Sequence, residues 1–253
     1  MEYFWKQQND IPEGMGYPLF GLAHLVSIGV TLFLVLIAMI ILIRQTENSQ
    51  KRILKAIPTF MVLLEAFKDL FLITVGRFGV GYLPLHFCSI GIFIFLLREY
   101  LPYQWCRDVL GEIAFILILP GSLIALIFAD WTVYYPVLNF MNLYSYVWHG
   151  LLVLYPALIK LRGDINPDIR HFWWSLLFLC IIVPPIYGFD KHFGCNYFFV
   201  NWPAPDSPLS WLASFMGNPG YLLGYALLVI LTILLVYLCI WIVEKGINGK
   251  KHD

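Results

Sequence analysis

The residues best suited to chemistry are His86 and Cys88, two groups that ionise near neutral pH at the start of an apolar run. The run covers about 83–97, and at ~1.5 Å per helical residue it reaches roughly 22 Å, less than the ~30 Å hydrocarbon core. The glycine-rich residues 75–81 before it do not favour a continuous helix. We therefore expect the helix to begin below the outer membrane surface, at Pro84, with both side chains facing a cavity.

A cysteine in such a position suits nucleophilic acyl transfer, because the positive end of the helix dipole favours the thiolate. His86 is a poor base for Cys88, since side chains two residues apart on a helix point about 200° apart. His149, expected at similar depth on another helix, is the better general base. The first-turn amides can stabilise an oxyanion. The pattern predicts Cys88 as nucleophile, His149 as base and His86 as an orienting group.

Other polar residues fall inside apolar segments, where they are costly and are functional candidates by default. Glu65 and Asp69 are four residues apart on one helix face, and Lys68 can pair with either. A later segment carries a polar stripe spaced i, i+3 and i+7, formed by Asn142, Ser145 and His149. We interpret these residues as binding or orienting groups. Each set also has a structural interpretation, as a self-neutralising network or as helix contacts.

The elements that position these groups are predicted to be membrane-spanning helices. The 253 residues are 60% hydrophobic and 13% charged, whereas soluble domains are about 25% charged. The net charge of zero gives no basic patch, so no nucleic-acid partner is expected. We predict an all-α bundle forming a single integral domain, residues 1–253. Its seven spans cover about 19–43, 53–75, 83–97, 107–128, 140–160, 171–187 and 219–243.

Loop charges predict how the bundle is oriented. Twelve of the sixteen Lys and Arg residues, including Lys250 and Lys251 near the end, fall in connections on one side. Three fall on the other side, and Lys68 lies inside a span. Positive residues collect on the cytoplasmic side of membrane proteins. We therefore expect an outside N-terminus, a cytoplasmic C-terminus and a multi-pass protein of the cell membrane.

The longest outer connection, residues 190–218, is rich in aromatic residues and is predicted to fold back over the site. Within it, Asn196 is a candidate polar contact for the substrate. Cys195 leaves an alternative open, because a disulfide with Cys88 is permitted outside the cytoplasm and would remove the nucleophile. We expect Cys88 to be a free thiol, since it should lie deeper than this loop can easily reach.

Three stretches resemble the bacterial YwaF-like integral membrane proteins, which are grouped with the animal transmembrane protein 164 family. They are residues 83–90 (LPLHFCSI), residues 196–199 (NYFF) followed by Pro203, and residues 218–221 (NPGY). The resemblance covers most of the chain. It implies a cysteine-dependent acyltransferase acting on phospholipid and lysophospholipid substrates. The animal branch has a Pro-Cys-His order, whereas here Leu85 precedes His86 and the thiol follows at Cys88.

The sequence thus favours lipid acyl transfer with no cofactor and no metal ion, since no His or Cys pair has metal-ligand spacing. A transporter is the main alternative, because buried acids and a lysine beside a broken helix are typical of ion-coupled carriers. A non-catalytic lipid-binding protein and a scaffold of a membrane complex also remain open. The sequence predicts no oligomeric state.

Overall fold

Helices make up the regular secondary structure of the part of the chain that the structure describes. A computed structural model describes residues 2–249, and the side chains up to residue 245. Lys250 and Lys251 of the predicted cytoplasmic end lie outside the described residues. The α-helices are α1 (Leu22–Ile43), α2 (Glu47–Thr74), α3 (Phe87–Tyr100), α4 (Gln104–Ile113), α5 (Leu119–Ile127), α6 (Phe140–Leu161), α7 (Phe172–Phe193), α8 (Pro208–Met216) and α9 (Tyr221–Gly249). The predicted all-α class is confirmed.

Four helical stretches are long and apolar enough to cross a membrane. They are Leu22–Ile43, Gln104–Val133, Ile169–Phe193 and Tyr221–Lys245. The second contains α4 and α5, which a π-helical turn, Ala114–Ile118, joins into one rod. The helices α2 and α6 are of similar length but more polar, and α3 is short. The chain is therefore a membrane protein built of apolar helices.

The third helix begins at Phe87, so the predicted start at Pro84 is wrong. Pro84 lies in a turn, and His86 has an extended conformation as the N-cap residue. The fixed φ of proline suits the second position of a turn as well as the first turn of a helix, so the residue type alone did not distinguish them. The predicted glycine-rich break is confirmed, because Gly76 adopts a left-handed φ of 67° after α2 and only a 3-10 turn, Val80–Tyr82, follows.

The predicted short sixth span is also wrong, because α7 continues through residues 188–193. Gly194, with a left-handed φ of 66°, then ends the helix in the way that glycine commonly does. The apolar run stops earlier, at about Tyr187. The span was predicted from hydropathy, so the predicted end is the end of that run and not the end of the helix. The following connection, residues 194–220, is called the cover loop below.

The central element is α6, which packs against α1, α2, α3 and α5. Its close approach to α3 depends on Gly91, where an added Cβ would lie 2.7 Å from Leu152 Cδ2. On α5, Gly121 gives the same room to the Phe87 ring at the start of α3. These contacts fix the first turn of α3 against α5 and α6.

The N-terminal segment, residues 2–21, packs on the same end of the bundle. Gln7 Nε2 donates to the Tyr82 hydroxyl at 2.6 Å, and Asp10 pairs with Arg77 at 2.6 Å. The amide of Asn139 donates to two backbone carbonyls of the segment. The segment therefore holds the connection between α2 and α3.

Candidate functional site

The first turn of α3 presents the two predicted reactive groups. His86 is the N-cap residue and Cys88 the second residue of the helix, and both side chains are half-buried. The backbone N–H groups of Cys88 and Ser89 and the Ser89 hydroxyl lie beside the Cys88 sulfur. The predicted 200° separation from His86 is wrong, because His86 has φ −63° and ψ 151° and is not helical. All five cysteines are free, which confirms the predicted free thiol.

The charged trio on α2 forms a buried ion network. Lys68 Nζ lies 2.7 Å from Glu65 Oε1 and 3.0 Å from Asp69 Oδ1. It also donates to the Tyr82 carbonyl at 3.2 Å. The side chains of Lys68 and Glu65 are 7% and 8% exposed. The lysine thus neutralises two acids and ties α2 to the backbone that leads into α3.

Tyr144 on α6 completes this network, and the sequence analysis missed it. Its hydroxyl donates to Glu65 Oε2, and its ring stacks on Trp148 with centroids 5.4 Å apart. Glu65 and Cys88 both act electrostatically on the phenol. The available signal was a tyrosine four residues before a tryptophan inside a span, a pattern that equally indicates packing.

One ring nitrogen of His149 forms a hydrogen bond, and the other has no partner among the described residues. Its Nδ1 lies 2.7 Å from the Ser145 carbonyl oxygen, which can only accept, so Nδ1 carries the proton. In the neutral ring, Nε2 is then an acceptor, as a general base requires. The ring stacks on Trp131 with centroids 5.1 Å apart and planes 8° apart. The indole Nε1 of Trp131 is buried and has no hydrogen-bond partner among the described residues.

The other members of the polar stripe are held within the protein framework. Asn142 accepts from the Tyr17 hydroxyl at 2.9 Å and donates to the Val137 carbonyl at 2.8 Å. The Ser145 hydroxyl donates to the Met141 carbonyl at 2.9 Å. These bonds fix the first turns of α6 and therefore the position of His149 along the helix.

The cover loop folds back onto the start of α3, which confirms that prediction. The Tyr197 ring lies edge-on to His86, with centroids 4.6 Å apart, and its hydroxyl donates to the Val80 carbonyl. Phe198 contacts Phe87 in the same way at 5.3 Å. Asn196 binds backbone groups of the loop itself at 3.0–3.1 Å. In this structure Asn196 therefore holds the shape of the loop.

Three helices bring the predicted residues into one neighbourhood. Lys68 and His149 lie near the His86 ring, and Glu65 lies near the Cys88 sulfur. No hydrogen bond joins the Cys88 sulfur to either histidine within the described chain. No group of three or more His, Cys, Asp or Glu side chains up to residue 245 is placed to hold a metal ion. The cavity expected beside Cys88 stays a prediction.

A second polar cluster lies at the opposite end of the helices. Glu112 on α4 accepts from Tyr237 at 2.7 Å and lies 2.8 Å from His171 Nδ1. Near it, Arg98 and Glu99 are almost fully buried. A layer of fully buried apolar side chains separates the two clusters, formed by Met61, Phe95, Ile116 and Leu152.

One family model matches most of the chain. The TMEM164 family model covers residues 19–237, which contain every predicted site residue. No curated protein and no solved structure matches the chain. The match begins after most of the N-terminal segment that clamps the connection between α2 and α3.

Proposed function

The chain belongs to the TMEM164 family, and from this membership and the site geometry we propose that it transfers acyl chains between lipids of the cell membrane. A phospholipid donates the chain and a lysophospholipid accepts it. One observation carries the proposal. Cys88 is a free thiol in the first turn of α3, two residues after His86, and the His86 ring contacts Tyr197 of the cover loop.

The proposed reaction has two balanced steps. The Cys88 sulfur attacks the ester carbonyl carbon of the donor, the ester C–O bond breaks, and the departing oxygen takes the proton lost by the thiol. The acceptor hydroxyl then attacks the thioester, the C–S bond breaks, and the thiol regains a proton. Each step exchanges one acyl bond for another, so the reaction needs no cofactor.

His149 and the start of α3 supply the remaining catalytic parts. The free Nε2 of His149 moves the proton between thiol, leaving oxygen and acceptor. His86 orients the substrate beside the nucleophile. The first N–H groups of α3 have no helical partners, and they stabilise the oxyanion that forms at the acyl carbon. This assignment keeps Cys88, His149 and His86 as the reacting and orienting residues.

The polar residues around this centre hold it in place. The pairs of Lys68 with Glu65 and Asp69 fix α2 beside the α3 start. Asn142 and Ser145 set the position of His149 on α6. Asn196 keeps the cover loop folded over His86. We assign these residues an orienting role.

We further propose that seven spans cross the membrane, with the N-terminus outside and the site in the outer half. At ~1.5 Å per residue, α2 and α6 reach about 42 and 33 Å, long enough for the ~30 Å core. The short α3 reaches about 21 Å and completes its crossing with the turn before it. The charge bias of the loops supports this orientation.

Transport is the second candidate, and the buried Lys68 network favours it. Carriers often place such ion pairs at the centre of a broken helix. Against it stands the apolar layer around Phe95 and Leu152, both fully buried between the two polar clusters. The acyltransferase proposal accounts for the free thiol, which transport leaves without a role.

The test uses purified protein in lipid nanodiscs with a mixed phospholipid pool and an isotope-labelled lysophospholipid. We expect label in the diacyl product, with loss of at least about 100-fold in Cys88→Ser, because the second step then has no thioester. The matched control is Cys180→Ser, an exposed cysteine on α7, which should retain activity. Full activity of Cys88→Ser would reject the nucleophile.

A further inference from the structure

We propose that Trp131 and His149 together bind the hydroxyl group of the acyl acceptor. The Trp131 Nε1–H donates to the hydroxyl oxygen, and His149 Nε2 accepts the hydroxyl proton. This inference rests on the proposed acyl transfer for the identity of the acceptor. The binding site itself does not depend on whether Cys88 reacts.

The free donor is the first observation behind the proposal. Trp131 lies in a short 3-10 turn, Asp130–Val133, after α5, and its ring packs edge-on against Tyr146 with centroids 5.7 Å apart. The indole Nε1 is buried, yet no described group accepts its hydrogen bond. A buried donor without a partner destabilises the folded protein, so such groups are rare. This cost is offset when a ligand accepts the bond.

The free acceptor is the second observation. The Ser145 carbonyl fixes the proton of His149 on Nδ1, which leaves Nε2 with a lone pair. The two rings stack face to face with centroids 5.1 Å apart, which keeps the imidazole that carries this acceptor against the ring that carries the donor. Both groups belong to elements fixed by backbone bonds, since Tyr134 N donates to the Trp131 carbonyl at 3.1 Å.

The free donor on Trp131 and the free acceptor on His149 together indicate the chemical class of the ligand. A hydroxyl group both donates and accepts, so it satisfies Trp131 and His149 at once. A phosphate or carbonyl oxygen only accepts and leaves His149 Nε2 without a partner. An ammonium group only donates and leaves the indole without one. The pair therefore matches a hydroxyl group, which is the group that an acyl acceptor must offer.

This placement also assigns a step in the reaction. The acceptor oxygen bonds to the thioester carbon while its proton moves to His149 Nε2. The C–S bond then breaks, and the Cys88 thiolate takes the proton from His149. Throughout, the Trp131 N–H holds the attacking oxygen. Trp131 touches the substrate in this scheme and is a residue that neither the sequence pattern nor the family match had indicated.

The test measures binding without turnover, in a Cys88→Ala background. The two probes are a lysophosphatidylcholine and its deoxy analogue, in which hydrogen replaces the free glycerol hydroxyl. We expect the Trp131-containing protein to bind the hydroxyl probe about two- to tenfold more tightly, the ratio that one net hydrogen bond provides. Trp131→Phe keeps an aromatic ring for the stack but removes the donor, so this preference should fall towards one.

The control is Trp211→Phe on the exposed face of α8, which should keep the full preference. Equal weakening of both probes by Trp131→Phe would show a packing role and overturn the proposal. Equal binding of the two probes by the protein with Trp131 would overturn it as well, and this comparison does not depend on the folding of any Trp131 variant. If the hydroxyl probe is preferred but the native protein forms no thioester on Cys88, the acyl transfer is rejected and the hydroxyl site is retained.

Discussion

At the scale of single residues, the buried charges differ in how they are compensated. Lys68 and Glu65 are paired and hydrogen-bonded from several sides. Asp190 on α7 is fully buried, yet neither carboxylate oxygen has a partner in the described chain. The adjacent Lys191 lies over the Tyr187 ring instead, 5.3 Å from its centroid. Removing the Lys68 charge should therefore lower the stability of the protein, whereas removing the Asp190 charge should raise it.

We predict that Lys68→Met destabilises the protein by about 3–5 kcal/mol, because it leaves Glu65 and Asp69 buried without their cation. Combining it with Glu65→Gln should restore most of the loss. Thermal unfolding of the single and double variants in detergent measures the effect. The prediction fails if Lys68→Met is as stable as the parent protein.

For Asp190→Asn we expect the reverse, a higher midpoint of thermal unfolding. The neutral amide has nearly the same shape and avoids the cost of an unpaired buried charge. A gain of about 1 kcal/mol corresponds to roughly 2–4 °C for a chain of this size. The matched control is Asp10→Asn, which removes an exposed ion pair and should change the midpoint little. A lower midpoint for Asp190→Asn would contradict this.

At the scale of elements, the cover loop packs on the turn that precedes Cys88. It carries Tyr197 and Phe198 onto the first turn of α3. Phe198 and Phe199 both have left-handed φ values, 56° and 55°, which L-residues with large side chains rarely adopt. Contacts to Val80 and the Phe87 ring hold this strained turn in place. Weakening these contacts should loosen the loop before it affects the helices.

We predict that Tyr197→Ala speeds the alkylation of Cys88 by a maleimide several-fold, in a protein whose other cysteines are replaced. The change removes both the ring against His86 and the bond to Val80. Trp211→Ala, on the exposed side of α8, should leave the rate unchanged. An unaltered rate in Tyr197→Ala would mean that the loop does not control access.

The helices also show which parts of the fold could be predicted from the sequence. Hydropathy located every long helix, and the glycines at 76–81 located the break before α3. Pro84 could not fix the helix start, because turns and helices use the same φ. The sequence did not indicate Tyr144 or Trp131, since the role of their polar atoms depends on partners on other helices. Side-chain contacts between helices depend on the tertiary structure, which cannot be predicted from the periodicity of one segment.

At the scale of the whole molecule, the proposed orientation is based on the loop charges. We predict that an impermeant maleimide labels Pro205→Cys in the cover loop on intact cells, whereas Asn48→Cys in the first turn of α2 reacts only after permeabilisation. Both positions are exposed in the structure. Equal labelling of the two positions on intact cells would reject the proposed orientation.

The apolar layer between the two polar clusters has a consequence for the membrane itself. Met61, Phe95 and Leu152 are fully buried, and among the described residues they offer no polar contact to a lipid headgroup between the two clusters. The proposed acyl transfer, with its reactive groups near one end only, would therefore be restricted to a single leaflet. Unless another protein moved the products across, the two leaflets would come to differ in chain composition, and the resulting difference in lateral packing would bend the bilayer.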